Sequence, residues 1–128
     1  MTYQPPKSRD ELLARYAAGE RHFVDTELDI PDRIVDLDGA VLDGADFSEG
    51  WFTATFRGAS LRATKFRHAN VKCCDFTGAD LTDADFREAA LEATKWSGAT
   101  LLGIQFGDVS LYGTFLTEAE FLNGIERE

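Results

Sequence analysis

Few residues of this 128-residue chain are of types that do chemistry: His22 and His68, Cys73 and Cys74, and scattered carboxylates. A histidine titrating near neutral pH can move protons, but neither has a nucleophile at a telling spacing, so no Ser/His/Asp arrangement forms. Cys73 and Cys74 are adjacent in sequence. Neighbouring residues rarely satisfy disulfide geometry, and two thiols with no histidine close by make a poor metal site. Both are read as reduced. The glycines stand singly and build no phosphate-cradling loop. Catalytic, cofactor-binding and metal-ligating residues are therefore all expected to be absent, and no enzyme is predicted.

What positions these residues is a short, strongly acidic chain. Its formal net charge is −10, with 44% apolar residues and ten Phe, enough for one domain with a continuous core. The charge argues against direct nucleic-acid binding, since phosphates are drawn to Lys and Arg. No apolar run approaches the span of about 18 residues that a membrane helix needs, and Met1–Gln4 does not begin a signal peptide. The expectation is a cytoplasmic protein.

A period of five runs through the chain. Leu37, Leu42, Phe47 and Phe52 are followed, after one step of four, by Phe56, Leu61, Phe66, Val71, Phe76, Leu81, Phe86, Leu91, Trp96, Leu101, Phe106, Leu111, Leu116 and Phe121. Two residues before each centre the side chain is small, most often Ala, while the other three positions are mostly polar or Gly. Five fits neither a helix at 3.6 nor a plain strand at 2. It fits a chain that turns a corner every five residues, with the small residue and the centre pointing inward. Pentads sorted by four align Phe47, Phe66, Phe86 and Phe106, and then Leu42, Leu61, Leu81 and Leu101, ending in Phe121. Gly39, Gly58, Gly78 and Gly98 align likewise, which suggests a turn type particular to one side. Four pentads thus make one coil. The short pentad Gly50-Trp51-Phe52-Thr53 is a tightened corner, after which the columns resume.

Ala79-Asp80-Leu81-Thr82-Asp83-Ala84-Asp85-Phe86-Arg87-Glu88 carries the motif most plainly, and Ala45-Asp46-Phe47 and Ala69-Asn70-Val71 repeat it. The chain resembles the pentapeptide-repeat family. That resemblance implies an all-β fold: a right-handed quadrilateral β-helix, here of about 4.5 coils over residues 35–123. Asp before the centre can brace the turn. Ile104-Gln105-Phe106 and Thr114-Phe115-Leu116 depart from the consensus, so the last coil should be less regular.

A stacked rod has two bare ends to cover. Residues 1–34 supply an N-terminal segment. Ser8 and Glu11 form a capping box, Leu12, Leu13, Tyr16 and Ala17 an apolar stripe, and Gly19 a stop. This predicts a capping α-helix from about 9 to 18, then an irregular first coil around Phe23 and Leu28 broken by Pro31. The C-terminus shows no comparable helix, and residues 124–128 read as a tail. Either the tail folds back over the core, or this end forms a homodimer, as the resemblance allows.

Residues 54–73 hold five basic residues (Arg57, Arg62, Lys65, Arg67 and Lys72) and no acidic one, between two acidic zones. Stacked coils lie about 4.8 Å apart, so these cations can face carboxylates of the next coil; Lys65 falls between Asp46 and Asp85 in its column. The other reading is a belt for an anionic partner. Trp51, Leu102, Tyr112, Phe115 and Leu122 fall at outward positions and are candidate contacts for an unidentified protein partner. The favoured function is a scaffold or protein–protein interaction module. The alternative implied by the family is DNA mimicry aimed at gyrase or another topoisomerase, which the short rod and the basic belt oppose.

Overall fold

A computed structural model of the chain describes residues 2–31 and 33–125. Its named elements are short: α1 (Arg9–Ala17), β1 (Glu27–Leu28), β2 (Val35–Asp36), β3 (Trp51–Phe52), β4 (Ala54–Thr55), β5 (Val109–Leu111), β6 (Thr114–Leu116) and α2 (Glu118–Ile125). Between β4 and β5 the chain is held by isolated parallel bridges that define four columns. One runs Val41, Ser60, Asp80, Thr100, and a second His22, Asp46, Lys65, Asp85, Gln105. The third runs Glu27, Trp51, Asn70, Ala90, and the fourth Asp36, Thr55, Asp75, Lys95. The chain therefore meets itself once per coil on each of four faces. The early part is longer because it leaves the coil after Leu28 and returns at Val35, an antiparallel Ile30–Arg33 bridge closing the excursion.

Each corner repeats one local device. The N–H two residues before a centre donates to the carbonyl of the previous centre, as Ala45 does to Leu42 and Ala79 to Phe76. The residue inside the turn is left-handed, as at i+2 of a type II turn. This corrects the expectation of a special turn on the glycine side. Glu49, Ala63, His68, Cys73, Asp83, Glu88 and Ala93 adopt φ of 56–63° at the same position on the other faces. Gly39 and its column relieve strain at one corner type that all four faces share. The short pentad dispenses with that residue: β3 passes through Thr53 directly into β4.

Where an aspartate stands before a centre it braces the corner that follows. Asp46 accepts from the Ser48 N–H (3.0 Å), Asp75 from Thr77 (2.9 Å), Asp80 from Thr82 (3.1 Å) and Asp85 from Arg87 (3.0 Å). Inward Thr residues satisfy themselves similarly. The Thr64 hydroxyl donates to the Leu61 carbonyl at 2.8 Å and Thr26 to Phe23 at 2.6 Å, which lets a hydroxyl stand in the core without penalty.

The core is aromatic and ordered. Phe23, Phe47, Phe66, Phe86 and Phe106 stack with centroids 4.7–5.8 Å apart. A second stack, Phe56–Phe76–Trp96, stands edge-on to the first. At the N-terminal end α1 closes the rod. The Ser8 hydroxyl accepts from Glu11 N–H (3.1 Å), Leu12 is fully buried, and the Tyr16 hydroxyl donates to the Asp43 carbonyl (2.8 Å).

The C-terminal end differs from expectation. Leu111, Leu116 and Phe121 continue the spacing of five, but the stack stops after Gln105. Residues 109–116 form an antiparallel hairpin, β5 with β6, pairing Val109 with Leu116 and Leu111 with Thr114. At its tip both Tyr112 (φ 50°) and Gly113 (φ 79°) are left-handed, the signature of a two-residue type I′ turn. A second capping helix follows, mostly where the last coil was expected and reaching two residues into the expected tail, of which residues 126–128 lie outside the described residues. In α2, Thr117 and Glu120 exchange hydrogen bonds as a complete capping box (3.0 and 3.2 Å), and Phe121 and Ile125 face inward. Phe121 is thus not the end of the Leu column. It lies on α2, edge-on to Phe106 at 4.8 Å.

Candidate interaction surfaces

The basic belt is largely spoken for by the coil above it. Arg57 approaches Asp75 at 3.7 Å, Arg62 approaches Asp80 at 3.8 Å, and Arg67 approaches Asp85 at 3.8 Å. Lys72 meets Glu92 at 3.4 Å and His68 meets Glu88 at 2.8 Å. Lys65 sits in its column between Asp46 and Asp85, and among the described residues it forms no ion pair. The ladder tunes its acids. Burial pushes the Asp75 carboxyl up, but the Thr77 hydroxyl and N–H, with Arg57 and Lys95, outweigh it and hold the group below the ordinary carboxylate range. Asp85 is also pushed up by burial and is brought below that range by Arg87 and then Arg67. For Asp80 the Thr82 hydroxyl is the leading cause of the same lowering.

The five outward apolar residues do not form one surface. Trp51, half exposed, stands low on its face, with Glu27 below and Asn70 above. Leu102 is on the opposite face, where its carbonyl accepts from Asp83 N–H, and it is 75% exposed. Leu122 packs partly buried against the core. Only Tyr112 and Phe115 share one element, the hairpin, at 78% and 82% exposure. Ile30, Ile34 and Val41 are also exposed, around the first coil, and sequence reading missed them. The excursion after Leu28 explains Ile30 and Ile34, which have left the pentad frame that assigns inward and outward positions; Val41, directly before the centre Leu42, was in the frame and went unread.

The hairpin hangs on few bonds. Among the described residues, no backbone hydrogen bond joins β5 or β6 to the coil beneath. A notch of about 450 Å³ separates its tip from the rod, lined by Lys72, Cys73, Glu92, Ala93, Tyr112 and Gly113. Cys73 is exposed there, whereas Cys74 is buried, donates its thiol to the Phe52 carbonyl at 3.3 Å, and is pushed up to about 12, chiefly by burial. A thiol so protonated is not a nucleophile at neutral pH. Among the described residues no cluster of His, Cys, Asp or Glu could hold a metal, and no helix is long and apolar enough to cross a membrane.

Comparison with known proteins bears on the repeat. The profile for pentapeptide repeats matches eight copies over residues 53–83 and 84–121, more than half of the chain. The chain belongs to the pentapeptide-repeat family. Pentapeptide-repeat proteins fold as right-handed β-helices. No curated protein matches. Similar solved structures include the pentapeptide-repeat protein alr5209 from Nostoc, with 26% identity, coverage of 88% of this chain and 87% of that one, and a TM-score of 0.46. A pentapeptide-repeat protein of the Arabidopsis thaliana thylakoid lumen is 18% identical, with 84% and 77% covered and a TM-score of 0.43. A trypsin-treated form of QnrB1, a plasmid-mediated fluoroquinolone resistance protein, is 18% identical, with 72% and 70% covered and a TM-score of 0.34.

Proposed function

We propose that this pentapeptide-repeat chain is a non-enzymatic, right-handed four-sided β-helix that serves as a protein–protein interaction module, engaging its partner through the C-terminal hairpin. The observation that carries this is the pair Tyr112 and Phe115: two large rings turned to solvent on a ribbon that, among the described residues, makes no backbone hydrogen bond to the coil beneath. Rings of this kind supply much of the energy at protein interfaces, and an unpaired edge strand can accept a partner's backbone. The rod gives that ribbon a rigid mount.

Topoisomerase targeting by duplex mimicry is supported less. Ion pairs between coils offset the acids of residues 75–92, so carboxylates stand uncompensated mainly on the first two coils. A duplex mimic needs negative charge along its length.

The experiment is affinity capture from the source organism's lysate with the wild type, a Tyr112→Ser/Phe115→Ser variant and Leu102→Ser. One protein held by the wild type and Leu102→Ser but lost from the hairpin variant is expected. Equal retention by all three, or inhibition of gyrase supercoiling that survives the hairpin change, would overturn the assignment.

A further inference from the structure

Between α2, the hairpin and the last coil, a cleft of about 210 Å³ opens to solvent. Its walls are Leu91, Trp96, Leu111, Leu116, Phe121 and Ile125. Well-packed interiors leave few voids larger than a water molecule, and an apolar cavity of about 150 Å³ stays dry and admits benzene. The polar atoms at the floor are already used. The Trp96 indole N–H donates to the Thr94 hydroxyl at 2.7 Å, and that hydroxyl donates to the Leu91 carbonyl at 2.7 Å. The floor therefore asks for an apolar body.

Two residues of α2 shape the mouth. Gly124 lines it, and a Cβ built there would meet nothing within 4 Å. Gly124 is the next-to-last residue of α2, and with no side chain it keeps the wall low. Glu120 also lines the cleft and is the one charged residue among its described lining residues. One of its oxygens, Oε1, caps the Thr117 N–H; Oε2 has no partner among the described residues. The Thr117 backbone and hydroxyl hold this carboxyl below its ordinary range, so it is an anion at neutral pH.

We infer that this cleft binds a small arylalkyl ammonium compound, its ring between Trp96 and the leucines of the hairpin and its cation at Glu120. The volume takes one ring and a short arm. The site is independent of the partner surface, since Tyr112 and Phe115 are not among its walls.

The test is a titration with 2-phenylethylammonium and with the neutral 2-phenylethanol, followed by the indole N–H signals of Trp96 and Trp51. The expected result is saturable, millimolar binding that moves Trp96 and leaves Trp51 in place. The ammonium should bind roughly two- to five-fold more tightly than the alcohol, the range of an exposed ion pair, and Glu120→Gln should erase that preference. Gly124→Leu should close the mouth and abolish binding; Leu116→Phe fills the opposite wall and serves if the first variant fails to fold. No shift of Trp96 up to the solubility limit, or full binding by a folded filled variant, overturns the site. Equal affinity for both compounds in the wild type overturns the ligand class.

Discussion

Gly107 donates its backbone N–H to the Glu118 carboxylate at 2.7 Å, and the same oxygen accepts from Phe106 N–H at 3.2 Å. One coil lower, the Phe86 N–H donates to the Gln105 carbonyl of the next coil at 2.8 Å and the Arg87 N–H to the bracing Asp85 carboxylate at 3.0 Å. Glu118 therefore stands both for the missing coil's carbonyl, at Phe106, and for the bracing carboxylate, at Gly107, and α2 ends the ladder chemically as well as by covering its apolar core.

Removing that carboxylate should weaken the whole rod. Glu118→Ala is expected to cost about 2–3 kcal/mol, the range for hydrogen bonds to a charged group that leave donors stranded. Glu118→Gln should lose less than half of that. Urea midpoints for the three proteins check this; equal midpoints would show that water replaces the carboxylate freely.

Two glycine substitutions should separate space from strain. A Cβ at Gly50 would stand 2.5 Å from Phe52 Cε2, 2.9 Å from the Phe47 carbonyl oxygen and 3.0 Å from that of Thr26. Gly50→Ala should therefore cost at least about 2 kcal/mol through overpacking. Gly39 has open space but a φ of 69°, so Gly39→Ala should cost only about 1 kcal/mol. Thermal or urea unfolding ranks them.

Why the corners escaped a sequence reading follows from the same geometry. The turn needs one left-handed residue, and glycine is only the easiest way to supply it; Ala63, Cys73 and Glu88 meet the same demand. The inward positions were legible because the core admits one large ring or branched chain per face per coil, and the place of Lys65 in its column between Asp46 and Asp85 follows from stacking alone, although no ion pair forms there among the described residues. The C-terminus misled because Leu111, Leu116 and Phe121 keep the spacing of five by coincidence of a hairpin and a helix. The signal that distinguishes them was present: Thr117-x-x-Glu120 is a capping box, and Phe121 and Ile125 lie one helical turn apart. The second aromatic stack, Phe56–Phe76–Trp96, was legible in the columns and went unread. The outward residues could be named but not grouped, because which face each occupies near the ends depends on the excursion after Leu28 and on the hairpin.

Acid should weaken the protein through the braced carboxylates. Asp75, Asp80 and Asp85 all lie below the ordinary value of 3.8 in the folded chain. A lowered folded value means that the stabilisation is present above about pH 4 and is lost as pH falls through the folded values. Urea midpoints should hold from pH 7 to about 5 and fall steeply below 4. Asp75→Asn and Asp85→Asn should each flatten that fall; an unchanged acid limb in both would contradict the bracing role.

The ladder of cations should contribute little to stability. The Arg62 and Asp80 side chains are 61% and 40% exposed, and exposed pairs couple by roughly 0.2–1 kcal/mol. A double-mutant cycle on Arg62→Gln and Asp80→Asn should return a coupling in that range, shrinking in high salt. A coupling above about 2 kcal/mol would mean that the belt is a structural keystone.

The central claim, that the hairpin is where this rod meets its partner, is tested most directly by placing a photo-crosslinking phenylalanine analogue at Phe115, and separately at Leu102, in cells that make the protein. The account predicts a discrete adduct with another protein from position 115 and none from position 102. Adducts of equal yield from both positions, or none from 115 while the protein is folded and abundant, would contradict it.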